Sequence, residues 1–240
     1  MKSFVTTSWD DGGTHDARLT EMLERHGVTG TLYWTVGSDR FPLPPKADRD
    51  AILGSSIEIG SHTMTHPDMR AIDAAALARE VTESKSSLED LTGGAIPSFC
   101  YPFGYFDDRA AAAVKAAGYS LGRTTMGFQT DLGDDPFKMP VTLQLYPHGA
   151  KVHLAHALKE RNFSGLGRWL TTYGRLSDLV SLAEAAVDDV ARSGGVLHIW
   201  GHSWELEEYD LWNTLDEVLN VVGGRDDVTY CTNGDLVRAD

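Results

Sequence analysis

Short β-prone runs alternate with helical patterns along almost the whole of this chain, and that alternation restricts its possible folds more than any other feature. The run SFVTTSW leads into the helix-like DARLTEMLERHG, which stops at Gly27. TGTLYWTV, SSIEIGS, SFCYP, YSLGRTT, FKMPVTLQLY, GGVLHIWGH and DVTYCT follow as strand candidates. Between them lie helical patterns, with the Pro-rich FPLPPK read as a connection. The clearest helix can be capped by Asp73 and carries Leu77, Val81, Ser84, Leu88 and Leu91 on one stripe before Gly93-Gly94. Further helices are expected at DRAAAAVKAAG and near 152–160, 178–193 and 212–222. Parallel strands need long crossovers, usually helices, so the pattern predicts an α/β fold with about seven or eight parallel strands. In 240 residues this fits a barrel-like single domain, 1–240, better than two packed halves, with an open doubly wound sheet as the alternative.

Charge narrows the partners. With 21 basic and 35 acidic residues, the formal charge of −14 argues against nucleic acid and anionic membrane surfaces. No apolar run reaches the roughly 18 residues of a membrane span. The opening MKSFVTTSWDD has no apolar stretch of a secretory kind, so a cytoplasmic location is expected. Cys100 and Cys231 lie far apart in apolar runs and read as buried thiols.

The unusual polar residues collect just after strand-like runs, where a barrel would place its chemistry. Asp10 and Asp11 follow the first run and His62 and His66 the third. CYPFGYFD follows the fourth, and His202 with Glu205 a late one. An isolated D-D-G-G is most simply a polar turn, and nine histidines produce chance pairs, as at His153 and His156, which read as surface or packing residues. The strand-end H-x-x-x-H differs, because two histidines and one carboxylate form a zinc set that leaves a position for water. Adjacent aspartates at a strand end point in different directions, so one can bind a metal while the other stands beside the water as a base. His202, at the strand end, can serve as a proton donor, whereas His198 reads as a core residue.

Ser8-Trp9-Asp10-Asp11-Gly12 resembles the T-F-D-D-G motif, with Trp for Phe, and His62-Thr63-Met64-Thr65-His66 meets H-S/T-x-x-H in full. On these motifs the chain resembles the polysaccharide deacetylase family, the NodB-homology domain of carbohydrate esterase family four. The resemblance implies a distorted (β/α) barrel holding a divalent metal on Asp11, His62 and His66. Zinc is the first candidate, with cobalt, nickel or manganese as alternatives. It further implies Asp10 as catalytic base, His202 as general acid and a backbone N–H at Phe103 for the oxyanion. The family's third motif often carries an Arg that pairs with the catalytic Asp; that place here is Cys100 or Tyr101, and Arg123 in LGRTT is the candidate replacement. The family's Asp–Trp pair has no clear match, and Glu205 is the candidate to orient His202 instead. Trp9, Tyr101, Phe103, Tyr105 and Trp204 are candidates to stack on a sugar ring.

The activity expected from this resemblance is removal of an N-acetyl group from a small or carrier-linked amino sugar. Hydrolysis of a non-sugar amide, imide or ureide uses the same site. A non-catalytic metal- or carbohydrate-binding barrel is the competing class, against which Asp10 speaks, because a binding module needs no base. The expected partner is thus a small or carrier-linked molecule, and a homo-oligomer is compatible with the sequence.

Overall fold

The computed structural model describes residues 2–159 and 162–238. Its centre is β1 (Ser3–Asp10), which lies parallel to β2 (Gly30–Trp34) on one side and to β7 (Gly195–His202) on the other. β3 (Glu58–Ser61), β4 (Ser98–Cys100) and β5 (Leu121–Arg123) extend the sheet beyond β2, and β6 (Leu143–Gln144) extends it beyond β7. The order is β5-β4-β3-β2-β1-β7-β6, with every neighbouring pair parallel, and β8 (Thr229–Tyr230) pairs with the start of β1. The two outer edges are joined through residues 139–145. Met139 bonds to the backbone of Gly122 and Thr124, whereas Thr142 and Leu145 bond to His198 and Trp200. The result is the expected distorted barrel.

Helices α1 (Asp16–Arg25), α2 (Lys46–Leu53), α3 (Ala74–Thr92) and α4 (Asp108–Ala116) follow the first four strands in turn. The second half carries α5 (Ala150–Lys159), α6 (Phe163–Thr171), α7 (Leu179–Ser193), α8 (Ser203–Glu208), α9 (Trp212–Val222) and α10 (Asn233–Leu236). On α3 the expected stripe is present. Asp73 caps Ala76 N–H at 2.8 Å, Leu77, Val81, Ser84 and Leu88 are buried, and the helix stops at a left-handed Gly93. Four helices depart from the sequence reading, namely α2 behind FPLPPK, α6, α8 and the short α10. The long strand expected at FKMPVTLQLY is also broken, because a 3-10 turn at Pro136–Lys138 and Pro140 leave only Leu143–Gln144 as regular strand. Side chains of His153 and His156 lie outside the described residues. Among the described residues no helix is long and apolar enough to cross a membrane.

Strand alternation sorts the side chains into two layers. Val5, Trp9, Leu32, Trp34 and Phe99 are buried outward in the main apolar core. Thr6, Ser8 and Asp10 point inward, where they meet Asn233, His198 and Arg123. Leu121, Met139, Val196, Cys231 and Leu236 form a separate apolar cluster. Polar inward faces near the strands' C-terminal ends are what the fold offers to chemistry.

Candidate active site

Asp10 is the last residue of β1, and its side chain follows the inward alternation of that strand. Asp11 turns out of the strand with φ +76°, a left-handed conformation that aspartate tolerates better than most residues. The neighbours therefore face different groups. Asp11 Oδ1 lies 3.6 Å from His62 Nε2 and 3.2 Å from His66 Nε2. His62 Nδ1–H donates to the Cys100 carbonyl at 2.8 Å, which leaves Nε2 as the lone pair aimed at Asp11. Burial pulls the His62 pKa down to about 4, so this ring is neutral and ready to act as a ligand.

Three further side chains hold these candidate ligands in place. Trp204 Nε1–H donates to Asp11 Oδ2 at 2.9 Å. Glu80 of α3 accepts from the N–H groups of Met64 and Thr65 at 2.9 and 3.0 Å and from the Thr65 hydroxyl at 2.6 Å, clasping the loop between the histidines. His66 itself sits at φ +61° and Thr63 at φ +69°, with Thr63 Oγ1 accepting from His66 N–H at 3.0 Å. Strained backbone is concentrated here. Asp11, Thr63, His66 and Phe103 are four of the seven non-glycine residues with positive φ among the described residues.

Asp11 Oδ1 is buried without a hydrogen bond of good geometry, although two ring nitrogens converge on it. Three such donors at zinc-bond length in a tetrahedral set would stand about 3.3 Å apart, close to the spacing observed. The three ligand atoms all lie within 4.8 Å of one another. Burial would raise the Asp11 pKa, but the imidazoles of His66, His62 and His202 outweigh it and hold the carboxyl well below the usual range. The donor set fits a divalent cation.

Asp10 faces a different partner. Its Oδ1 is closely paired with Arg123 Nη2, and the Cys100 thiol points at Oδ2 from 3.6 Å. Burial would again raise this carboxyl, yet the guanidinium, with His62 and His202, keeps it below the ordinary carboxylate value. Arg123 reaches Asp10 from β5, the position anticipated as the substitute for the missing third-motif arginine. It is fully buried, with Nε and Nη1 without hydrogen-bond partners and the rings of Tyr33 and Trp200 at 5.4 and 5.1 Å from its Cζ.

His202 ends β7 beside Asp10 in the β1–β7 register. Its Nδ1–H donates to Glu205 Oε2 at 2.6 Å, which turns Nε2 toward the cavity, 3.9 Å from Asp11 Oδ2. Burial would lower the pKa of His202, but the bond to Glu205 and the charges of Asp10, Glu205 and Asp11 raise it above the ordinary histidine value. If His202 acts as an acid, kcat/KM falls as pH rises through its pKa. Glu205→Gln is then expected to move that basic limb to lower pH, and a limb that stays in place in a pH profile would reject the pairing as functional. His198 is buried deeper, with Nε2 2.8 Å from Ser8 Oγ and its pKa pushed down to about 3 by burial and Arg123, as befits a core residue.

Two expected substrate contacts need correction. Trp9 and Tyr101 are enclosed in the core, at 1% and 0% exposure, and neither lines the cavity. Trp9, next to the inward Asp10, points outward and donates Nε1–H to Thr7 Oγ1 at 3.1 Å. Tyr101 follows β4 on its outward side and donates its hydroxyl to the Phe137 carbonyl at 2.9 Å. Phe103, Tyr105 and Trp204 do line the cavity, with Phe103 half-exposed and its ring centroid 4.5 Å from that of His66. The roles of Trp204 as a donor to Asp11 and of Glu80 as a clasp were not evident in the sequence. Only the conjunction of Trp204 with His202 in GHSWE hinted at either.

A fully buried aspartate stands behind the site. Asp16 accepts from Ser203 Oγ at 2.5 Å and from Trp34 Nε1–H at 2.8 Å, and burial, with the nearby Asp11 charge, raises its pKa to about 6. A carboxyl raised from 3.8 to about 6 stabilises the fold fully below the unfolded value, and that contribution is lost as pH rises through the folded one. The loss is on the order of 3 kcal/mol. Asn at this position can accept from Trp34 and donate to Ser203. Asp16→Asn is therefore expected to remove most of this pH dependence in urea denaturation; an unchanged dependence would place its origin elsewhere.

A sequence profile described as polysaccharide deacetylase matches residues 1–122. The chain is 24% identical over 125 residues to a putative polysaccharide deacetylase, YxkH, of Bacillus subtilis, covering 50% of this chain and 44% of that protein. It is 26% identical over 117 residues to a chitin deacetylase of Pestalotiopsis sp, covering 46% and 37% respectively. The matches thus span less than half the length of either relative. Among solved structures it is similar to the Xyl-CE4 domain of a multidomain xylanase from the hindgut metagenome of Trinervitermes trinervoides. That likeness has a TM-score of 0.61 at 14% identity and covers 100% of this chain and 91% of that one, and it speaks to the fold. The matched half contains Asp10, Asp11, His62 and His66, and on this evidence the chain belongs to the polysaccharide deacetylase family.

Proposed function

We propose that this chain is a metal-dependent hydrolase of non-peptide amide bonds that removes an N-acetyl group from a small or carrier-linked amino sugar. The observation that carries the reading is the placement of an ionised Asp10 beside the Asp11–His62–His66 cluster, with His202 on the adjoining strand. A divalent ion on that cluster would supply Lewis-acid polarisation of the amide carbonyl and lower the pKa of water.

The remaining steps belong to the chain. Asp10 accepts a proton as water attacks the carbonyl carbon, and Arg123 keeps this base ionised. His202, held by Glu205, gives its Nε2 proton to the departing nitrogen as the C–N bond breaks, so that the products are a carboxylate and an amine. Trp204 and Glu80 fix Asp11 and the histidine loop, which limits reorganisation during the reaction.

The test combines metal content with amine release. Purified protein is expected to hold about one divalent ion per chain, in line with a three-ligand site, and to release amine from N-acetylated amino sugars. His66→Ala should lose most of that metal; full retention of metal by the folded variant would reject the ligand set. Metal-loaded protein inactive on N-acetyl sugars but active on cyclic amides, imides or ureides would move the activity to the non-sugar class.

A further inference from the structure

We propose that the scissile amide is flanked by an apolar group, aliphatic or aromatic, which the far end of the active-site cavity holds. The inference rests on the amide-hydrolase reading for its chemistry, not on the amino-sugar substrate, and on the cavity walls for its ligand, which is a longer acyl group or a non-sugar amine. The cavity has a volume of about 560 Å³, within the range of pockets that enclose a small molecule and far more than an acetyl group fills. From the Asp11–His62–His66 cluster it extends past Trp200 on β7 and Leu143 on β6 to the start of α7. The first turns of α7 stand at the barrel mouth, because α7 runs directly into the beginning of β7. Phe128, Leu143, Leu179, Leu182 and Trp200 form this end of the cavity.

Thr142 and Asn162 among these walls have committed their hydrogen bonds elsewhere, and Gln144 has committed its carbonyl oxygen. The Thr142 hydroxyl donates toward the Gln129 carbonyl at 2.6 Å and accepts from His198 N–H at 3.0 Å. Asn162 donates to the Gly127 carbonyl at 2.6 Å, and its Oδ1 accepts from Gln129 Nε2 at 2.5 Å and from Gly165 N–H at 2.9 Å. Gln144 Oε1 is paired with His148 Nε2 at 2.9 Å. A sugar ring carries a hydroxyl on nearly every carbon, and each one desolvated here without a partner would oppose binding. An alkyl or aryl group has no such cost and gains from leaving water. Charged groups of the cavity are confined to the metal cluster, Asp10 and His202, and to Arg40 and Arg70. One end thus suits the reacting amide and the other an apolar arm.

Hydroxamates bind a metal through their own oxygens and report the arm without needing turnover. The experiment measures, by calorimetry on the metal-loaded protein, the affinity of acetohydroxamate and its butyro, hexano and octano homologues. A parallel series of N-alkyl acetohydroxamates carries the chain on the nitrogen side. In one of the two series affinity is expected to rise about fourfold per methylene, the value for moving a CH₂ out of water. Leu182→Trp, which fills the far end, and Leu179→Gln, which makes it polar, should each flatten that rise, and either folded variant suffices. Two flat series in the wild-type protein, or a rise that survives in the folded variants, would overturn the proposal. A rising series with no amide hydrolysed rejects the hydrolase reading and keeps the apolar subsite. Hydrolysis of N-acetyl sugars with both series flat does the reverse.

Discussion

Asp10→Asn is expected to lower kcat by about 10²–10⁴ while leaving the metal in place, because a positioned base contributes on that scale. Asn keeps the shape of the side chain and can still accept from Arg123, but it cannot take a proton from water. Asp10 is not among the atoms converging on Asp11 Oδ1, since its own Oδ1 is engaged with Arg123. Metal content and kcat must therefore separate in this variant. Unchanged turnover on a confirmed substrate would remove Asp10 from the mechanism, and loss of metal would make it a ligand.

Arg123→Met should destabilise the fold by about 3–5 kcal/mol, the cost of leaving one member of a buried ion pair without its partner. Both side chains are almost fully shielded, at 0% and 5% exposure, so solvent screening provides little relief. The double variant Asp10→Asn/Arg123→Met removes both charges and is expected to recover much of that loss. Chemical denaturation of the three variants against wild type decides the matter. If Arg123→Met alone is as stable as wild type, Asp10 has another source of compensation and the account of its ionisation fails.

How much of the site was legible in the sequence depended on whether a role followed from position along a strand or from an approach across space. Asp11, His62 and His66 lie at or just beyond strand ends, and their convergence followed from parallel strands sharing one mouth. Arg123 and Glu205 were also within reach, the first because β5 lies beside β4, the second because it is three residues beyond His202. Trp9 and Tyr101 were misplaced for one physical reason. Neighbouring residues on a strand face opposite layers, so residues close to site groups in sequence pointed into the outer core. Glu80 was invisible for the opposite reason. It lies on a helix that reads as ordinary amphipathic sequence, and only folding brings it under the His62–His66 loop.

The helices that the sequence did not disclose have local explanations. α2 follows three prolines within five residues, a pattern that suggests a continuing connection, yet Pro45 stands at its N-cap position. α6 carries two glycines, which lower its intrinsic helix propensity, but Asn162 caps it by accepting from Gly165 N–H. α8 begins directly after His202, without a loop, and so carries Glu205 back to the ring that it orients.

The source of the base's counter-charge divides the chain in an informative way. The recognisable half ends at residue 122, one position before Arg123, and His202 and all five named far-wall residues also lie beyond Arg123. In the proposed mechanism the N-terminal half thus contributes the ligands and the base, whereas the C-terminal half contributes the counter-ion, the acid and most of the container. β1 binds the two together through an eight-residue register with β7. Chimeras that exchange the segment between β5 and β7 while retaining Arg123 and β7 are therefore a rational route to new substrates on an unchanged reaction centre.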